Sequence, residues 1–101
     1  MRRASGRPAK QLEWTPTASS AYLATLAYIA AQDPLGAETF KTRVDRALAE
    51  IRAFPGIGTP AARKGERRFP IPNTGHVINY RVLRGAIRVQ RWSRTRQRSA
   101  V

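Results

Sequence analysis

"YIAAQDPLGAETF" runs from Tyr28 to Phe40, and the fold turns on how its centre is read. Inside a helix a proline removes a backbone donor and strikes the preceding turn, so one long helix does not pass through Pro34. At the first helical position the same residue costs nothing, and an aspartate just before it caps the exposed amides. Asp33-Pro34 therefore ends one helix and opens another. Two helices joined so closely fold back on each other as a hairpin.

Upstream the same device recurs. Thr15-Pro16 predicts the start of the first helix, which runs to about Gln32 with Tyr22, Leu26 and Ile29 at helical spacing and Leu23, Ala27 and Ala30 beside them. In the second helix Ala37, Phe40, Val44, Leu48 and Ile51 recur at three- and four-residue steps and predict a buried stripe. Glu38, Lys41, Arg43, Asp45, Arg46, Glu50 and Arg52 turn away from it. "FPGIG" (Phe54 to Gly58) closes the hairpin: Pro55 stops the helix, and Gly56 and Gly58 permit the positive φ of a tight exit.

The flanks read as strands. Gln11 to Trp14 alternates Leu12 and Trp14 with Gln11 and Glu13, the pattern of a strand with one buried face. Thr59 to Glu66 is a polar, basic loop, followed by strands over Arg67 to Ile71, His76 to Val82 and Ala86 to Trp92, with "PNTG" and "LRG" as turns. His76, Ile78, Tyr80 and Val82 share the expected core face, and Val77, Asn79 and Arg81 the other. In the last strand Ile87 and Val89 fit the core, but unbroken alternation would then bury Arg91 and expose Trp92. A bulge near Gln90 is the expected repair. The result is an α+β domain of order β-α-α-β-β-β over residues 11–101, a helical hairpin on a small, mainly antiparallel sheet. Residues 1–10 are expected to form a flexible basic leader.

Charge narrows the function. Nineteen Lys and Arg oppose six Asp and Glu in 101 residues, for a formal net charge of +13. Residues 55–101 hold eleven of the bases and a single acid, Glu66. Such a surface attracts polyanions or acidic proteins. Sixteen of the bases are arginine, whose planar fork suits carboxylate and phosphate alike. With no cysteine and one histidine, thiolate chemistry is excluded, a metal site is poorly supplied, and no cofactor is implied. The leader lacks the apolar run of a signal peptide, and no membrane span follows, so the chain is expected in the cytoplasm.

Several short motifs, in their order and spacing, carry a resemblance: Trp14-Thr15-Pro16, Tyr28-Ile29-Ala30, Asp33-Pro34, Phe54-Pro55-Gly56-Ile57-Gly58, Ile71-Pro72, Val77-Ile78-Asn79-Tyr80-Arg81-Val82, Arg91 and Thr95-Arg96-Gln97. From Gln11 to Gln97 the chain resembles the ParE/RelE superfamily of toxins from bacterial type II toxin–antitoxin pairs, and its wording lies closer to the ParE branch. The resemblance implies a non-enzymatic toxin that inhibits DNA gyrase and arrests growth, neutralised by a cognate ParD-like antitoxin with an acidic C-terminal segment. The alternative is a RelE-like, ribosome-dependent, metal-independent endoribonuclease of messenger RNA. Against it, Val77 stands where such an enzyme places an arginine, and no tyrosine or histidine follows Arg81. Arg94 stands where many ParE-like chains carry a histidine.

Candidate site residues follow from both readings. For target binding they are Arg91, Trp92, Arg94, Arg96, Gln97 and Arg98, with Arg67, Arg68 and Arg81 as an additional basic surface and DNA or the ribosome as further possible partners. Under the ribonuclease alternative, Arg81, Arg94 and Arg96 stabilise the phosphate charge. Trp92 suits either stacking on a partner or plugging the sheet end against the helices. His76 and Tyr80 read as structural, and Tyr22 and Tyr28 as packing residues of the first helix.

Overall fold

The structure, a computed structural model, describes residues 10–95. Strand β1 (Gln11–Trp14) leads into helices α1 (Pro16–Gln32) and α2 (Pro34–Ala53), followed by strands β2 (Thr59–Pro60), β3 (Glu66–Ile71), β4 (His76–Val82) and β5 (Ala86–Arg94). Both helix starts form as the sequence dictates. Thr15 Oγ1 accepts from the Ala18 amide at 3.1 Å, and Asp33 Oδ1 accepts from the Gly36 amide at 3.0 Å.

The sheet has five strands in the order β1-β5-β4-β3-β2. β1 runs parallel to β5, and the remaining pairs are antiparallel. The two-residue β2 is an addition to the expected order: Thr59 and Pro60, read as loop, pair with Arg68 and Arg67. Its partner β3 begins one residue early, so Glu66 belongs to the sheet rather than to a polar loop.

One face of the sheet carries the core. Val44, Ile51, Ile78, Tyr80, Ile87 and Val89 are fully buried in one cluster with Ala18, Phe40, Leu48, Ile71 and Trp92. Each large aliphatic side chain so placed contributes about 1.5–3 kcal/mol relative to exposure. The expected stripe of α2 is the buried stripe observed. α1 is different: only Ala18 is fully buried in it, while Leu23 and Tyr28 are 57% and 70% exposed. Tyr28 is thus not a packing residue. Val82, expected in the core, is also exposed, at the end of β4.

The parity conflict in β5 resolves as expected. Asn79 pairs with Arg91 and Tyr80 with Val89, which leaves Gln90 as the extra residue of a bulge. Trp92 thereby returns to the core and Arg91 to the opposite face. Thr15 Oγ1 donates to the Gln90 carbonyl at 3.0 Å, so the cap of α1 also satisfies the bulge.

The glycines of "FPGIG" serve a different purpose from the one expected. Positive φ falls at Gly65, Gly75 and Asn73, not at Gly56 or Gly58. Gly58 is required by close approach instead: a Cβ there would stand 2.9 Å from both the Arg68 carbonyl oxygen and Tyr80 Oη.

Candidate functional site

The expected site residues do not form one cluster. Alternation along the strands and the bulge divide them between the two faces of the sheet.

On the face turned away from the helices, cross-strand register lays out two rows. Glu66, Arg81, Arg88 and Glu13 stand side by side on β3, β4, β5 and β1, and Arg68, Asn79 and Arg91 form the next row. Like charges directly across strands repel, and opposite ones attract. Arg88 Nε takes Glu13 Oε1 at 3.1 Å, a half-exposed pair of small energetic weight. Arg91 Nη2 reaches over β4 to Glu66 Oε1 at 2.9 Å. Asn79 Nδ2 stands 3.5 Å from the same oxygen.

Glu66 is the unusual member of this face. Its side chain is fully buried, while that of Arg91 is 42% exposed. Its second oxygen, Oε2, is buried with no partner. Beside it Gly65 adopts φ +81, and a Cβ at Gly65 would lie 2.6 Å from Arg81 Nη1. Arg81 and Arg68 make no ion pair among the described residues, so they are the cations this face leaves uncompensated.

Arg67 lies elsewhere. Paired with Tyr80 on one side and Pro60 of the edge strand on the other, it stands on the helix-side face, where Nη1 donates to the Gly58 carbonyl at 2.6 Å. It braces the exit of the hairpin instead of joining Arg68 and Arg81.

On the helix side a cleft of about 630 Å³ opens between α1 and the end of β5, bounded by Tyr28, Ile29, Phe40, His76, Trp92 and Arg94. Trp92 is 8% exposed. It donates from Nε1 to Thr25 Oγ1 at 3.1 Å, stacks on His76 at 5.0 Å and meets Tyr22 edge-on at 4.9 Å. Of its two readings, the plug is therefore the one the packing displays. His76 Nδ1 lies 3.0 Å from the Thr74 carbonyl oxygen, which can only accept; the ring proton therefore sits on Nδ1. Burial lowers the His76 pKa, the Thr74 bond raises it, and the Arg94 charge lowers it further. The neutral ring is the favoured form. Burial, aided by Asp45, raises the Tyr22 hydroxyl, in keeping with a packing role.

Arg94 is cross-strand partner to His76 and is exposed at the rim of this cleft. Arg81 lies five residues further along β4 and on the other face, about 17 Å away at ~3.3 Å per residue. The two do not converge on one phosphate, as the ribonuclease assignment requires. Arg96, Gln97 and Arg98 lie outside the described residues.

Three features depart from the pattern of the sequence: Arg88 pairs with Glu13, Tyr28 is exposed rather than packed, and Glu66 belongs to a strand rather than to a loop. A usable signal for Glu66 was present, since it is the only acid in residues 55–101. Along α1, moreover, Pro16–Gln32 contains no charged residue in a chain of net charge +13. Its outer surface, with Leu23 and Tyr28, suits an apolar protein partner rather than a polyanion.

A family model described as the ParE toxin of the type II toxin–antitoxin system parDE matches residues 12–98. Among solved structures, the fold is similar to one described as a chromosomal ParDE TA system from P. aeruginosa. The TM-score is 0.75 at 20% identity, over 87% of this chain and 98% of that one. At that identity the likeness speaks for the fold. No curated protein matches the sequence.

Proposed function

The chain belongs to the ParE toxin family of type II toxin–antitoxin systems, and from that premise we propose that it arrests growth by binding and inhibiting DNA gyrase. It acts stoichiometrically, without catalysis of its own. The observation that carries the non-catalytic part of this reading is the separation of Arg81 from Arg94 on opposite faces of the sheet. Phosphodiester cleavage without a metal needs cations and proton-transfer groups gathered around one phosphate. Arginines spread over a sheet face suit binding to an extended anionic or acidic surface.

The antitoxin belongs to the apolar side of the molecule. Uncharged α1, with Leu23 and Tyr28 exposed, together with Leu35 at 80% exposure, offers the apolar contact area. Arg94 and the surrounding positive charge attract an acidic ParD-like segment. Binding to the native state also stabilises the toxin by mass action.

The test is plasmid supercoiling by gyrase with the purified chain, beside ribosome-dependent cleavage of messenger RNA on the same preparation. Inhibited supercoiling with intact RNA is expected, and added antitoxin should restore supercoiling. Cleaved RNA with unaffected gyrase overturns the proposal.

A further inference from the structure

We infer that Glu66 is a positioning residue for the effector surface: it holds Arg91 across β4 beside Arg81, so that the two guanidiniums form an oxyanion-binding site on the open face of the sheet. The inference rests on the gyrase reading above for its biological readout, and on geometry for its content.

A fully buried carboxylate is expensive unless it is paired, and it persists where a specific arrangement compensates it. Glu66 meets that description in a chain with a large surplus of cations. Its Oε1 takes Arg91 Nη2 at 2.9 Å, with Asn79 Nδ2 at 3.5 Å. To make that contact Arg91 must lie across β4, since Glu66 stands on β3 and Arg91 on β5. Without Glu66, the side chain would have no charged group to draw it there.

Arg81 is the second half of the arrangement. It is the direct cross-strand partner of Glu66 and is diagonal to Arg91 through Asn79. Its Nη1 lies 2.6 Å from where a Cβ on residue 65 would stand, so the glycine makes room for this guanidinium, which makes no direct ion pair with Glu66. The unpartnered Oε2 leaves Glu66 with acceptor capacity beyond the Arg91 bond. One carboxylate thus offsets one of two neighbouring guanidiniums. The pair keeps a net positive charge on this face, ready for a phosphate or carboxylate oxygen of the target. Two arginines without Glu66 would repel each other and splay into solvent.

A structural role alone makes a different forecast, and the two separate experimentally. Glu66→Gln keeps the volume and one acceptor, removes the charge and strands no ion. In the full chain it should weaken gyrase inhibition about tenfold, the scale of one charge-assisted hydrogen bond. Antitoxin affinity should remain, and the melting temperature should stay within a few degrees. Adding Arg81→Gln to Glu66→Gln should cost less than Arg81→Gln costs in the wild type, because the same pair is already disordered. Additive losses overturn the inference, as does unchanged potency in Glu66→Gln, or a loss matched by weakened antitoxin binding and early melting. A second measurement is independent of gyrase: ¹⁵N spectra of the arginine side chains. Both the Arg91 and Arg81 signals should lose their dispersion in Glu66→Gln. If Arg81 is unmoved, the paired site is wrong even where gyrase is inhibited; if both move while wild-type toxin leaves gyrase untouched, the pair stands and the target assignment falls.

Discussion

Arg91 and Glu66 form an ion pair at 2.9 Å although β4 lies between their strands. The contact depends on the register of both strand pairs and on the bulge at Gln90. Had the alternation of β5 continued unbroken, Arg91 would point into the core.

The pair makes stability asymmetric. Arg91→Gln leaves the buried Glu66 carboxylate without its counter-ion and should cost about 3 kcal/mol, the low end for a broken buried pair because the guanidinium is partly exposed. Glu66→Gln should cost about 1 kcal/mol, and the double variant should be more stable than Arg91→Gln alone. Urea denaturation of the three variants measures this. An Arg91→Gln chain as stable as the wild type contradicts the pairing.

Tyr80 ties the hairpin exit to the sheet. Its hydroxyl donates to the Pro55 carbonyl at 2.7 Å and accepts from the Gly58 amide at 2.9 Å. Tyr80→Phe leaves both groups short of a partner and should cost about 2–3 kcal/mol. Gly58→Ala forces a methyl group against the same hydroxyl and the Arg68 carbonyl and should cost about 1–3 kcal/mol. Gly56→Ala meets open space and should be nearly silent. Melting curves of the three variants separate these outcomes.

His76 predicts a pH dependence. Burial and Arg94 hold its pKa below the ordinary 6.5, so the unfolded chain binds the proton more readily. Its contribution to stability is therefore present above pH 6.5 and is lost as the pH falls through the lower folded value. Melting temperature against pH should fall on this side, and Arg94→Gln should flatten the slope. A profile that rises on acidification would falsify the assignment of a neutral native ring.

The arginine face and the terminal segment separate experimentally. Removal of residues 96–101 leaves β5 whole, including the Thr95 amide bond to the Gly75 carbonyl at 2.7 Å. The shortened chain should fold and bind antitoxin, and it should lose growth arrest if Arg96, Gln97 and Arg98 contact the target. Arg68→Gln with Arg81→Gln should weaken inhibition about tenfold or more while antitoxin binding persists. Growth assays with each variant, beside antitoxin pull-down, report both properties. Full toxicity in the double variant places the effector surface off the open face.

Much of this protein was legible in its residues because the relevant physics is local. Asp33-Pro34 and Thr15-Pro16 set the helix starts within a few bonds, and the spacing from Ala37 to Ile51 names the buried stripe of α2. Even the bulge at Gln90 follows from counting, since Trp92 and Val89 could not otherwise share a face. What the chain alone left open is whatever depends on which strands lie side by side. The parallel docking of β1 on β5 joins the two ends of the domain, and nothing near Gln11 announces it. Burial of Glu66, its reach to Arg91, the diversion of Arg67 to Gly58 and the division of Arg81 from Arg94 all come from cross-strand neighbours far apart in sequence. Charge and periodicity say that an arginine is present and which side of its own strand it takes. Only the assembled sheet decides what stands opposite it, because that pairing is a property of two strands at once.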